Sequence, residues 1–180
     1  PASEKKSNSD YTSMGILGLG PDENIYVPFF FRDRLNLTET TKWLMHLHRK
    51  FKPIAVGYEK YGKDRDIEHI EFVQNQENYR FDIIPLGGQI PKNDRIKRLV
   101  PDCEQGRFYL PFHCWHTDYE GNRQDMTRSF VDEEYEPFPV GLHDDIFDMF
   151  ARIKDEDLGA VYPKTNSGYK FKRKPRRVKV

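Results

Sequence analysis

The sequence predicts a mixed α/β domain in which a central sheet, built from an N-terminal antiparallel hairpin plus parallel strands, is flanked by helices on both faces. Two β-rich runs, residues 12–20 and 25–31, surround a turn signal, which is the pattern of a hairpin. Farther along the chain, short apolar runs alternate with segments in which apolar residues recur every three or four positions. Strands that alternate with helices pair in parallel, so the two patterns together predict a mixed sheet.

The hairpin turns at Gly20-Pro21-Asp22-Glu23-Asn24, a cluster of residues that favour turns. Pro28 lies within the second run and cannot donate a ladder hydrogen bond, which weakens its assignment as a central strand. The first helix begins near Thr38 and ends at Lys52-Pro53. The other predicted strands are residues 54–59, 81–86 and 107–112, and the other predicted helices contain residues 67–73, 93–99, 126–135 and 143–153.

Length and composition favour one domain with its own core. The chain has 180 residues, 37% hydrophobic and 14% aromatic, and a chain of this length buries roughly 70% of its unfolded surface. We assign residues 1–160 to this domain and residues 161–180 to a basic, flexible tail, because residues 163–168 have the composition of a linker. No apolar run reaches the ~20 residues of a membrane-spanning helix. The two cysteines make no disulfide framework, which favours the cytosol.

Charge is balanced in total but distributed unevenly. The 29 Lys and Arg residues equal the 29 Asp and Glu residues, yet residues 170–180 carry seven basic side chains and no acidic one. Residues 132–148 carry acids and no Lys or Arg. Basic clusters attract nucleic-acid phosphates. The tail either binds DNA or is a solvated segment, and a second basic cluster on a predicted helix is the better candidate for DNA binding: Lys92, Arg95, Lys97 and Arg98.

Four acidic residues stand where an α/β domain could present them to a metal ion. Glu59 ends an apolar run, Asp144 and Asp145 begin the last predicted helix, and Asp10 precedes the first strand. Carboxylates at strand ends and helix starts can converge at one edge of a sheet. Mg²⁺ and Mn²⁺ take oxygen ligands, and two such ions can together hydrolyse a phosphodiester. These four residues are therefore the candidate metal ligands and catalytic residues.

Structural roles explain the same acids without a metal. Asp144 could cap the last helix, Asp145 could be a first-turn acid favoured by the helix dipole, and Glu59 could be an ordinary strand-end residue. Two further patterns are weak. Residues 57–63 match a phosphate-binding loop until Asp64, where Ser or Thr is required. The spacing of Cys103, His113, Cys114 and His116 matches no structural zinc site, which favours packing and surface roles.

Several segments resemble the nuclease domain of the large terminase subunit of tailed bacteriophages, which has an RNase H-like fold. The resemblance covers nearly the whole chain, and its specificity lies in the order and spacing of motifs that are each weak alone. Pro1-Ala2-Ser3 resembles the end of the family's Asp-Pro-Ala loop, and the family's first catalytic Asp would directly precede Pro1. The other matching segments are Ser9-Asp10-Tyr11-Thr12, Val56-Gly57-Tyr58-Glu59, Lys92-Asn93-Asp94-Arg95-Ile96 and His143-Asp144-Asp145-Ile146-Phe147-Asp148.

The resemblance implies a metal-dependent endonuclease that cuts concatemeric double-stranded DNA with two Mg²⁺ or Mn²⁺ ions. Glu59 and Asp144 or Asp145 would hold the metal together with the upstream Asp, Asp10 would ligate or orient a metal-bound water, and Lys92 and Arg95 would contact phosphate. The implied partners are the terminase ATPase domain, the portal protein and the small terminase subunit, in the host cell cytoplasm. Without the upstream Asp, we expect impaired metal binding.

Two other classes of function remain open. Another RNase H-like nuclease, of the resolvase or transposase type, would share the carboxylates but not the contexts in which they occur here. A non-catalytic domain that docks on DNA or on a portal protein would also be globular with a basic tail. Docking should survive EDTA and Glu59→Ala, whereas cleavage should not.

Overall fold

A computed structural model describes residues 11–59, 65–88 and 90–164. The predicted hairpin is confirmed: β1 (Thr12–Leu19) pairs antiparallel with β2 (Ile25–Asp33). The register places Thr12 opposite Asp33 and Leu19 opposite Ile25, with an irregularity between Ile16 and Gly18. The local alternation of side chains and the turn signal were therefore sufficient to locate this unit.

The first helix, α1 (Leu37–Phe51), begins at a capping box rather than at Thr38. The Asn36 side chain accepts a hydrogen bond from the backbone N–H of Glu39, and the Glu39 side chain accepts one from the backbone N–H of Asn36. The helix ends where Lys52 adopts a left-handed conformation with φ of 48°, directly before Pro53. Both ends of α1 are thus determined by short-range interactions.

The remaining elements are short. The middle of the chain forms β3 (Gly57–Glu59), α2 (Arg65–Gln76), β4 (Ile84–Leu86), α3 (Lys92–Lys97) and α4 (Val100–Glu104). It is followed by β5 (Phe108–Tyr109), β6 (Trp115–Thr117), β7 (Arg123–Asp125) and α5 (Met126–Phe130). A π-helical turn (Val131–Tyr135) extends α5, and α6 (Asp145–Ala151) leads into 3₁₀ turns at Arg152–Lys154 and Glu156–Leu158.

The three strands predicted after α1 are shorter than expected. The side chain of Ile54 is fully exposed, so the chain becomes a strand only at Gly57. Phe81 stacks on His48, with 3.8 Å between ring centroids, and lies before β4 rather than in it. Of residues 107–112, only Phe108–Tyr109 pairs as a strand. Phe81 thus packs against α1 and Ile54 is exposed to solvent, so the apolarity of these segments did not distinguish a strand from other conformations.

The predicted mixed sheet is present as the order β1-β2-β5, in which β1 and β2 are antiparallel and β2 and β5 are parallel. Because β5 pairs only with Ile25 and Tyr26, Pro28 lies where no N–H is needed on that side. Within the described residues, β3 and β4 form a separate parallel pair, and β6 and β7 a separate antiparallel hairpin. The strands are thus divided among three sheets.

Helices cover both faces of the β1-β2-β5 sheet. Successive side chains of a strand point to opposite faces. Phe31 packs against Trp43 of α1, with ring centroids 4.8 Å apart, while Phe30 packs against Phe150 of α6 at 5.0 Å. Phe30, Phe31 and Phe150 are fully buried. The core therefore lies on each side of β2, as the fold class predicted.

The boundary at residue 160 has no direct structural test, because residues 165–180 of the predicted tail lie outside the described part of the chain. The last residues that the structure describes still contact the body: Tyr162 packs against the main hydrophobic core. Among the described helices, none has the length and apolarity needed to span a bilayer.

Candidate functional site

A cleft of about 1080 Å³ runs between β1 and β3. Consecutive residues of both segments line it, residues 11–17 on one side and 55–59 on the other. Charged side chains from β3, α3, α6 and the turn after α6 also line the cleft: Glu59, Lys92, Arg95, Asp145, Asp148 and Arg152. Two candidate ligands and two candidate DNA-binding residues therefore meet at one cavity.

Lys92 joins the two candidate acids at the start of α6. Its Nζ lies 2.5 Å from a carboxylate oxygen of Asp144 and 2.6 Å from one of Asp145. Burial opposes the charge on Lys92, but hydrogen bonds to Asp144 and Asp145 outweigh it and raise the pKa of the amine above its ordinary value. The two carboxylates thus converge on a single cation.

The start of α6 is capped by a residue from outside the helix. Neither Asp144 nor another flanking side chain caps it; instead Glu134 accepts hydrogen bonds from the backbone N–H groups of Ile146 and Phe147, at 2.8 and 2.9 Å. This leaves both Asp144 and Asp145 available to Lys92, and it excludes the structural role of Asp144 as a side-chain cap.

Arg95 and Asp148 form a buried pair beside the acids. Arg95 donates from Nε and Nη2 to the two oxygens of Asp148, at 2.8 and 2.6 Å, and from Nη1 to the Ile90 carbonyl at 2.8 Å. Only 9% of Arg95 and 5% of Asp148 is exposed. The hydrogen bonds to Asp148 are the main reason that the pKa of Arg95 is raised further. Arg95 therefore holds α3 against α6, and its contact with phosphate stays a prediction.

Glu59 lies at the C-terminal end of β3, the position that the sequence predicted. Its carboxylate accepts a short hydrogen bond from Arg152 and lies 3.8 Å from Nη2 of Arg95. Arg152 is 7% exposed and also pairs with Asp155 at 3.0 Å. Arg95 consequently links Glu59 to Asp148, one helical turn from Asp145.

The basic residues of α3 and the acidic residues of α6 that pair with them have the same spacing along their helices. Lys92 and Arg95 are three residues apart, as are Asp145 and Asp148, and each base pairs with the acid 53 positions later. Residues three apart lie on one face of a helix. Two basic residues and two acidic residues at this spacing are a sequence signal that could have predicted the α3–α6 contact.

Two of the predicted DNA-binding residues, Lys97 and Arg98, do not line the cleft. Lys97 pairs with Asp94 at the surface, at 2.9 Å, and Arg98 pairs with Asp155 at 2.5 Å. Asp10 lies outside the described residues. Its neighbour Tyr11 lines the cleft and contacts the ring of His143 edge-on, so β1 begins close to the start of α6.

Glu134 is a residue that sequence reasoning missed. It is 1% exposed, accepts a hydrogen bond from Arg32 at 2.7 Å, and has a pKa raised by burial to about 7. It belongs to an acid-rich segment in which nothing local distinguishes it from Glu133 or Asp132. Its role depends on α6 folding back over the π-helical turn, which is a tertiary event.

Cys103, His113, Cys114 and His116 take packing and surface roles, as expected. Cys114 donates to the carbonyl of Phe30, while His113 pairs with Asp125 and His116 with Asp33. In the described part of the chain, no group of three or more His, Cys, Asp or Glu side chains is arranged to hold a metal ion. The acids at the cleft are instead each paired with Lys or Arg.

Comparison of the chain with protein-family models, with curated proteins and with solved structures finds no match. The geometry of the cleft and the motifs in the sequence are therefore the two sources for a functional hypothesis.

Proposed function

We propose that this chain is a metal-dependent endonuclease domain of the terminase type, which hydrolyses phosphodiester bonds of double-stranded DNA. The observation that carries the proposal is the convergence of Asp144 and Asp145 on one cation at 2.5 and 2.6 Å. Side chains that share a lysine ammonium at this distance are placed to share another cation. Glu59 lines the same cleft as Asp145 and is connected to α6 through Arg95.

The carboxylate oxygens of Asp144 and Asp145 are ligands of the type that a hard divalent ion prefers, and they supply part of the number that such an ion needs. Asp144 and Asp145 are each about one-third exposed at the side chain, so solvent ions can reach them. Mg²⁺ commonly uses one or two carboxylates and completes its shell with water and phosphate oxygens. Bound Mg²⁺ or Mn²⁺ would activate water for attack and stabilise the leaving oxygen. Glu59 would join as a ligand on release from Arg152.

Lys92 has two uses in this proposal. In the absence of metal, its ammonium offsets one of the two negative charges that Asp144 and Asp145 place at the start of α6. When a divalent ion takes its place, the long and flexible Lys side chain is free to pair with a DNA phosphate. This gives the predicted DNA contact of Lys92 a physical basis. Phosphate contacts of this kind position DNA without reading its sequence.

The basic residues near Lys92 have two different roles: one positions an acid of the site, and another lies at the surface. Arg95 holds Asp148, and through it the start of α6, with a bidentate pair whose planar geometry Lys could not reproduce. Lys97 is exposed and could add to the attraction for DNA. The terminase ATPase domain, the portal protein and the small terminase subunit belong to the proposal as partners on the strength of the resemblance alone.

A second candidate function is supported by the ion pairing itself. Glu59, Asp144 and Asp145 all have cationic partners within the chain, as expected of a structural network in a domain that only docks on DNA or on a portal protein. This function predicts binding without cleavage. It makes the acids important for stability rather than for chemistry.

The test is conversion of supercoiled plasmid to nicked and linear forms in Mn²⁺, Mg²⁺ or EDTA. We expect cleavage in Mn²⁺ and Mg²⁺, none in EDTA, and at least a 100-fold loss in Glu59→Ala, because a metal ligand contributes several kcal/mol to such a transition state. Asp132→Asn is the matched control: Asp132 is an exposed acid whose ion-pair partner, in the part of the chain that the structure describes, is the surface residue Arg128. It should cut at the wild-type rate.

A version of the chain with an Asp directly before Pro1 belongs in the same assay, because the resemblance assigns a ligand to that position. Higher activity in this version would support the terminase-type site. Cleavage that persists in Glu59→Ala would refute the assignment of Glu59. DNA binding without cleavage in every version, including the extended one, would refute the nuclease and favour docking.

A further inference from the structure

Arg34 lines the cleft as a positive charge without a carboxylate partner for its guanidinium. The other Lys and Arg side chains that line the cleft, Lys92, Arg95 and Arg152, each pair with Asp or Glu. In the part of the chain that the structure describes, no ion pair includes Arg34, and its guanidinium donates instead to the neutral hydroxyl of Tyr119. Among these cationic side chains, Arg34 is therefore the one whose charge is open to an anion.

The hydrogen-bond donors of Arg34 are also incompletely used. Its Nε–H is buried without an acceptor from the described residues, as are those of Arg98, Arg107 and Arg152. Those three arginines bind carboxylates through their other nitrogens, whereas Arg34 does not. A buried donor without an acceptor costs free energy. Phosphate oxygens accept two parallel hydrogen bonds from a guanidinium, so a phosphate group would supply both the missing charge and the missing acceptors.

Buried Asp33 fixes the backbone around Arg34. Its Oδ1 accepts hydrogen bonds from the backbone N–H groups of Arg34, at 2.7 Å, and of Tyr119, at 3.2 Å. The hydrogen bond from the Arg34 guanidinium to the Tyr119 hydroxyl is the main reason that the pKa of Arg34 is raised above its ordinary value. Tyr119 itself donates to Glu120 at 2.6 Å. Arg34 is thus held at its backbone and at its tip, which lowers the entropy that it would lose on binding a ligand.

Tyr11 connects Arg34 with the start of α6. The guanidinium of Arg34 lies 4.9 Å from the centroid of the Tyr11 ring, over its face. The same ring contacts His143 edge-on, with 6.1 Å between centroids, and His143 directly precedes Asp144. Phosphates of one DNA strand follow each other every 3.4 Å or so along the helix axis. A strand with one phosphate at the acids would therefore present another to Arg34 within a few nucleotides.

Arg32 shows what a structural arginine at this place looks like. It contacts the Tyr11 ring at 5.0 Å, as Arg34 does, but it pairs with Glu133 at 2.9 Å and with Glu134 at 2.7 Å. Arg32 thereby holds the residue that caps α6. Two arginines therefore contact one ring, and their charges serve different partners.

We propose that Arg34 is a phosphate-binding residue that positions the backbone of duplex DNA beside the acids at the start of α6. The inference rests on the proposed nuclease function for its ligand and adds a contact to it that the sequence did not indicate. The planar guanidinium would fix both the position and the orientation of the phosphate. Phosphate contacts do not read bases, so the effect should be the same for duplexes of any sequence.

The test measures the affinity of the full chain for a short fluorescent DNA duplex in EDTA, at several NaCl concentrations. Loss of one phosphate contact lowers the slope of log K against log salt concentration by about 0.9, which is about a tenfold loss of affinity at about 0.1 M salt. We expect both changes in Arg34→Gln. Arg34→Lys should keep the slope, because Lys also neutralises a phosphate. Arg128→Gln is the matched control, since Arg128 is an exposed arginine paired with Asp132, and it should bind as wild type does. Thermal unfolding checks that each variant is folded.

Two results would overturn the inference. A wild-type slope and affinity in Arg34→Gln would show that no phosphate contacts Arg34. An equal loss in Arg128→Gln would show that binding depends on total charge rather than on the position of Arg34. Plasmid cleavage in Mn²⁺ by the same proteins separates this inference from the proposed function. Cleavage by wild type with unchanged binding in Arg34→Gln would contradict the role of Arg34 alone, whereas binding that needs Arg34 without any cleavage would contradict the nuclease alone.

Discussion

The buried pair between Arg95 and Asp148 provides the sharpest prediction about stability. Asp148→Ala removes the one carboxylate that, within residues 11–59, 65–88 and 90–164, contacts Arg95 at hydrogen-bond distance, and it leaves a guanidinium that is 9% exposed beside Glu59 at 3.8 Å. Removal of one partner of a buried ion pair costs about 3–5 kcal/mol. For a domain of this size, each kcal/mol lowers the unfolding temperature by about 2–4 °C. The expected decrease is therefore about 6–20 °C.

Thermal and denaturant unfolding of the variant measures this loss. Asp132→Ala is the control, because an exposed ion pair contributes at most about 1 kcal/mol. Replacement of both partners, Arg95→Met with Asp148→Leu, should recover most of the loss, since no buried charge is then left unpaired. A loss below about 1 kcal/mol for Asp148→Ala would refute the reasoning, because it would mean that Arg95 reaches solvent or another partner at little cost.

Three further predictions concern the core, a helix cap and pH. Phe30→Ala, at a fully buried position between α5 and α6, should cost about 3–5 kcal/mol in denaturant unfolding. Asn36→Ala should cost about 1 kcal/mol by removal of the cap of α1, whereas no change would refute the capping box. The pKa of Glu134 is raised to about 7 in the folded state, so the folded state binds the extra proton. Its contribution to stability should therefore fall as pH rises from about 4.5 to about 7. Glu134→Gln should flatten this part of the pH dependence of the unfolding free energy, and an identical slope in both proteins would contradict the assignment.

Local signals in the sequence predicted local structure well. The hairpin was predicted because a two-residue period and a turn cluster need no information from elsewhere in the chain. The helix α1 was predicted for the same reason, although its cap is Asn36 rather than a threonine. The strands after α1 were predicted too long, because Ile54 and Phe81 are apolar without being paired. Whether an apolar run becomes a strand depends on a partner that may be anywhere in the sequence.

For the candidate site too, local positions were predicted and long-range contacts were not. Glu59, Lys92 and Asp145 were predicted by position and do line one cleft. The burial of Arg95 was not predicted, because it depends on an acid 53 residues away. Its spacing from Lys92 matches that of Asp148 from Asp145, so the information was present as a pattern between two helices rather than within one. No comparable pattern in the sequence indicated that Glu134 caps α6.

The most direct test of the account is Mn²⁺ binding by the full chain, measured by calorimetry together with plasmid nicking. We expect wild type and Asp132→Asn to bind Mn²⁺ and to nick DNA, and we expect the Asp144→Asn, Asp145→Asn double variant to lose both properties together. Retention of Mn²⁺ binding and nicking in the double variant would contradict the claim that the start of α6 holds the catalytic ion.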